Sequence, residues 1–177
     1  MVRKVIRYAA IATLLLGLIC LWLLLRQPSF AAAEPTPEAA RSFTEKITQL
    51  TLAHEQGFAG EIHLTEAEIN SQIAEGLKDH PSPAGAAGLK GAKVRLEGDR
   101  LVALLTVNMK GRDVYVTVGG KLGFADHSVR LIPSEVRIGS LPVPVSWVKG
   151  RIDMHMELPE AIGSVRLEDG ELVVATQ

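Results

Sequence analysis

With 177 residues the chain has room for one ordinary domain, and its formal charge of −1 conceals a lopsided distribution. Arg3, Lys4, Arg7 and Arg26 lie in or beside the first apolar segment and no acid precedes Glu34, so the remainder holds 15 basic residues against 20 acidic, a balance of about −5. That balance excludes the basic footprint of a nucleic-acid binder, and the single cysteine, Cys20, excludes a disulfide framework within the chain.

From Tyr8 to Leu25 the chain runs 18 residues without a charge. As a helix this spans roughly 27 Å, close to the ~30 Å of a bilayer's hydrocarbon core. Arg3, Lys4 and Arg7 form a cytoplasmic flank, and Trp22 falls toward the far interface where amphipathic rings collect, so the chain exits to the outside. A lipidated cysteine is disfavoured, because bulky Ile19 precedes Cys20 and the apolar run continues past it. A cleaved signal peptide ending at Ala31-Ala32-Ala33 is the competing reading. The run exceeds the ~7–15 residues of an ordinary signal core and Arg26 separates it from the alanines, which favours a retained single-pass anchor. Either way the domain lies outside the cytoplasm, in the periplasm or at the cell surface. The expected divisions are an anchor over 1–26, a Pro- and Ala-rich stalk over 27–37, and an extracytoplasmic domain over 38–177.

Thr36 is the expected N-cap of a first helix, with Pro37 at its first position and Glu38 at the positive end of the dipole. Phe43, Ile47, Leu50 and His54 recur at helical spacing until Gly57. After Glu61-Ile62-His63-Leu64 comes LTEAEIN, where Thr65 and Glu68 form a capping box and Leu64 and Ile69 a hydrophobic staple. The helix it opens runs from Glu66 to about Leu77, and Pro81 to Gly91 follows as a connector.

From Lys93 the hydrophobic period becomes two. Gly98-Asp99 is a two-residue turn that sets Leu96 opposite Leu101 and Glu97 opposite Arg100. Leu101, Ala103, Leu105, Val107 and Met109 share one strand face, while Val102 and Leu104 are apolar on the other, which allows cover on both sides there. Val114, Val116, Val118, Leu122 and Phe124 then hold alternate positions of a long third strand. Asp126-His127 turns into a fourth strand, whose apolar face shifts from Val129 and Leu131 to Val136 and Ile138 across Pro133, the mark of a bulge or bend. LPVPVSW at 141–147 leads into a short helix through Val148 and Ile152, and a last hairpin spans Val165 to Val174 around Asp169-Gly170, a type I′ pair. VRLEDGELV at 165–173 nearly repeats VRLEGDRLV at 94–102; a nine-residue match is too short for a repeat fold and reflects shared turn physics. The expected fold class is α+β: two helices packed on a curved antiparallel sheet of five to six strands, with a short helix before the final hairpin.

No catalytic or metal site is expected, and no cofactor. The five histidines stand apart, and Met154-His155-Met156 reads as an ordinary strand edge and not as a soft copper site. No serine sits in a G-x-S-x-G elbow, and the glycines at 85–91 lack the setting of a phosphate loop. A hydrolase assembled only by folding, around His127 or His155, is the rival to a non-enzyme.

LTEAEIN before a helix, V-R-L-E-G-D-R-L-V opening a meander, the proline pair within Leu141–Val145 and the terminal V-R-L-E-D-G-E-L-V-V together resemble the bacterial membrane-anchored, LmeA-like phospholipid-binding proteins over residues 60–177. The resemblance implies a curved sheet wrapped on helices with an apolar groove for acyl chains. Val114, Val116, Val118, Leu122, Phe124 and Trp147 are the candidate lining of that groove, with Gly119, Gly120 and Gly123 letting the strand bend. The expected partners are the membrane, through residues 8–25, and lipid, with no nucleic acid. The alternative function is a scaffold that docks a cell-envelope protein through a sheet edge or exposed patch.

Overall fold

The computed structural model describes residues 2–79, 88–125, 128–148, 155–159 and 161–176, with backbone alone at 2–12, 25, 148 and 155–157. Helix α1 spans Val2–Leu25. Among the described residues no helix is long and apolar enough to cross a membrane; of the 18 expected to do so, the side chains at 8–12 and 25 lie outside the described set.

Helix α2 covers Pro37–Glu55 and begins as its sequence dictates, with extended Thr36 accepting the Ala39 N–H at 3.1 Å on Oγ1. At its other end Gly57 takes a φ of 75°, which lets its N–H reach the His54 carbonyl at 2.9 Å and the Phe58 N–H reach that of Ala53 at 2.9 Å. This is a Schellman closure, and it turns the chain into strand β1, Glu61–Leu64. Helix α3, Glu66–Asp79, starts at the expected capping box: Glu68 accepts the Thr65 N–H at 2.8 Å while Thr65 Oγ1 receives the Glu68 N–H at 3.4 Å.

The main sheet is antiparallel and runs in chain order through β2 (Gly88–Glu97), β3 (Arg100–Met109), β4 (Arg112–Ala125), β5 (Ser128–Ile138) and β6 (Leu141–Val143). A one-turn helix α4, Val145–Val148, leads on toward β7 (His155–Glu157), which pairs with the first half of β5. Leu96 faces Leu101 and Glu97 faces Arg100 across the first turn, as the sequence requires. The bend expected at Pro133 is a bulge: Glu135 pairs with Gly119 and Pro133 with Gly120, leaving Ser134 unpaired. A side chain at Gly120 would collide with the Ile132 carbonyl oxygen, so the crossing tolerates only glycine. The expected helix continuation to Ile152 and the Asp126-His127 turn lie outside the described residues.

The final hairpin does not join this sheet. Strands β8 (Ile162–Glu168) and β9 (Glu171–Thr176) form a second, three-stranded sheet with β1, in the order β1-β9-β8. Both turn residues, Asp169 and Gly170, have positive φ, as a type I′ turn needs. The cause is local: the alternating exposed and buried residues of Glu61–Leu64 make it a half-buried edge strand, and it takes β9 as its partner. Two-residue turns specify each hairpin and leave its sheet partner open.

Three apolar clusters tie these layers together. Leu50 of α2 packs with Ile62, Leu64, Val165 and Val174 of the small sheet; Val94, Leu96 and Ala103 pack under α3; Val118, Leu131 and Val136 form the centre of the large sheet. Ile69 joins the first two clusters and Leu101 the last two. The closest tie is polar. Asn70, 2 % exposed, lays its amide along the outer edge of β2, donating to the Val94 carbonyl at 2.8 Å and accepting the Val94 N–H at 2.6 Å. Glu66 continues this at the Leu96 N–H, 2.9 Å away. Helix α3 thus closes β2 against further strand pairing.

Candidate functional site

The segment after α1 was expected to be a stalk, but it is a strap bound to the domain. The Ala33 N–H donates to Glu66 at 2.5 Å, the Ala33 carbonyl accepts from Asn70 at 3.1 Å, and the Thr36 N–H donates to Ser71 Oγ at 3.0 Å. Further back, the Arg95 guanidinium lies over the Phe30 ring, 5.2 Å from its centre. Pro28 and Pro35 lack the N–H that would compete for these partners.

Between strap, α3 and the large sheet lies a cavity of about 400 Å³. The strap supplies Pro28, Phe30 and Pro35, α3 supplies Ala74, Leu77 and Lys78, and the sheet floor is Leu104, Thr106 and Tyr115, with Lys90 and Lys93 on β2. Its volume is at the small end of the ~300–1,000 Å³ typical of ligand sites. Its lining combines apolar side chains with three lysines, Lys93 lying directly across from Leu104, and among the described residues no Asp or Glu lines it. Lys90 pairs with Asp113 at 2.6 Å, and this hydrogen bond holds the ammonium's pKa above its ordinary value.

Successive strand residues point to opposite faces, so a floor made by Tyr115 and Thr106 is the reverse of the face carrying Val114, Val116 and Val118. None of the six residues expected to line a groove borders this cavity. Val118 is fully buried, with Val116 and Leu122 packed beside it in the sheet's central cluster. Phe124 packs instead with the α2 cluster, Val114 is half-buried, and Trp147 is 72 % exposed on α4. Helix α3, the small sheet and α4 pack on the even face, and the strap lies over the part of the odd face around Leu104, Thr106 and Tyr115. The usable clue was Leu104, apolar on the face opposite its neighbours and 6 % exposed beneath the strap.

A second constellation is structural. Glu68, nearly buried, receives Lys46 Nζ at 2.9 Å and Ser42 Oγ at 2.5 Å, both from α2, besides its own cap contacts. Burial alone would raise its carboxyl, but hydrogen bonds from Lys46, Ser42 and Thr65 outweigh that and hold it at about 2. Among the described residues no three His, Cys, Asp or Glu side chains gather as a metal site; His80, His127 and the His155 side chain lie outside that set.

No known protein family, curated protein or solved structure matches the chain.

Proposed function

We propose that the chain is a membrane-tethered extracytoplasmic module that binds a lipid acyl chain, and that it does so in the cavity beneath the strap. The observation that carries this reading is the cavity's position: its wall is the same segment, Gln27 to Pro35, that leaves α1, so a molecule in it sits beside the end of the anchor. The anchor itself is supported by α1, whose leucines at 14, 15, 16, 18 and 21, with Ile19 and Trp22, are all exposed. A stretch with that many exposed apolar side chains suits hydrocarbon, while the half-buried end of the helix at Leu23 and Leu24 meets the large sheet. The Ser140 N–H, donating to the Leu23 carbonyl at 2.9 Å, sets the β5–β6 turn at the end of that helix. The basic flank at Arg3, Lys4 and Arg7 orients the domain outward. The apolar wall of Leu77, Leu104 and Phe30 offers burial worth ~25 cal/mol per Å² to a chain entering it. The resemblance to LmeA-like phospholipid-binding proteins points the same way, and the role assigned is binding or transfer without catalysis.

The test is to purify the full chain from membranes in a nonionic detergent, extract it, and weigh bound lipid against a Thr106→Trp form whose cavity is filled. Lipid held by wild type and lost from the folded variant supports the reading; equal amounts reduce it to annular lipid on α1. A scaffold for an envelope protein is the second reading, favoured by Leu52 and Phe58, exposed at the end of α2. It gains if the cavity-filled form keeps full function in cells.

A further inference from the structure

Resting on that acyl-binding reading, we infer that the cavity selects an amphiphile with an anionic, phosphate-like head, and that Lys78, Lys93, Lys90 and Tyr115 are its head-group contacts. A domain with a balance of about −5 nonetheless lines one cavity with three lysines and, among the described residues, no Asp or Glu, the nearest acid shown being Asp113 paired with Lys90. Lys78 and Lys93 have no carboxylate partner among the described residues, although acids are plentiful on the same surfaces. The contrast with their neighbours is informative. Arg95 is committed to Glu97 and to the Phe30 ring, Arg137 to Glu135, and Lys121 to Asp99. Asn70 has spent its amide on Val94 and Ala33, so it shapes the wall without offering a donor. The Tyr115 hydroxyl has no hydrogen-bond partner among the described residues and stands close enough to Lys90 to influence it electrostatically. Two ammonium groups and a phenol without partners among the described residues, and a third ammonium shared with Asp113, give an oxyanion several donors around one cavity. Leu77 and Leu104, in the same lining as these lysines, offer apolar contact to the chain that carries the head.

The head could belong to a membrane lipid or be free phosphate, and the experiment separates them. The delipidated full chain in nonionic detergent is offered equal phosphatidylglycerol and phosphatidylcholine with identical acyl chains, and bound lipid is counted by native mass spectrometry. At about fivefold per lysine, Lys78→Gln with Lys93→Gln is expected to cut the preference for phosphatidylglycerol about 25-fold while phosphatidylcholine still binds. Lys78→Arg with Lys93→Arg is expected to keep the preference, and added salt to erode it in wild type, which decides the matter even if the glutamine form does not fold. Equal uptake of both lipids by wild type overturns the head-group inference and leaves acyl binding standing. Uptake of neither overturns acyl binding. In that case inorganic phosphate that shields Lys78 and Lys93 from amine labelling identifies a free-anion site, and no shielding removes the anion site as well.

Discussion

Asn70 makes the sharpest demand on the fold. Replacing it with alanine leaves the Val94 N–H and C=O facing a wall that no longer answers them, and each unsatisfied buried backbone group costs about 1–3 kcal/mol. Two such groups give about 2–6 kcal/mol; because β2 is an edge strand that water can reach once α3 loosens, the lower half applies, near 3 kcal/mol. For a domain of this size that is a fall of roughly 6–12 °C in Tm. The bond that Asn70 donates to the Ala33 carbonyl of the strap is lost at the same time. The assay is thermal unfolding followed by near-ultraviolet circular dichroism, with hydrogen exchange read at the Val94 amide, where protection should drop about a hundredfold. A folded Asn70→Ala form with Tm within about 2 °C of wild type and unchanged protection at Val94 would refute the claim that this amide fastens α3 to the sheet.

The Glu68 carboxyl is held at about 2, below its ordinary 4.5, so its contribution is complete above pH 4.5 and is lost as pH falls toward 2. That contribution is about 3 kcal/mol, and Glu68→Gln should flatten acid unfolding in this window, as measured by urea midpoints between pH 5 and 2. Val118→Ala should cost about 2 kcal/mol by chemical denaturation and leave lipid selectivity untouched, because Val118 lies in the closed core. Gly120→Ala should cost about 1–3 kcal/mol, since the bulge must open to relieve the Ile132 carbonyl; a melt equal to wild type would remove the claimed close approach.

Local chemistry was legible in this chain and long-range partnership was not. Thr36, Gly57, the Thr65–Glu68 box and the Gly98-Asp99 and Asp169-Gly170 turns each act within a few residues, and each does what its side chains dictate. The shift of apolar face at Pro133 announced the bulge for the same reason. The pairing of β1 with β9 joins residues more than a hundred positions apart, and a four-residue strand carries too short a pattern to announce it. The expected lining and the strap cavity lie on opposite faces of one strand: the row from Val114 to Phe124 is the longest apolar stripe in the domain. A stripe that strong finds partners and closes, whereas the opposite face, mixed and interrupted by Tyr115 and Thr106, leaves room under a strap of prolines. The strap itself was hidden because its anchors are Glu66, Asn70 and Ser71, helix positions whose inward use depends on what crosses them.

The most direct test of lipid binding beneath the strap places a photoreactive phenylalanine analogue at Tyr115 or, as a control, at the exposed position Gln49 in the full chain, and irradiates it in its native membrane. A lipid adduct at 115, absent at 49 and lost on adding Thr106→Trp, is the predicted result. No adduct at 115, or equal adducts at both positions, would contradict it.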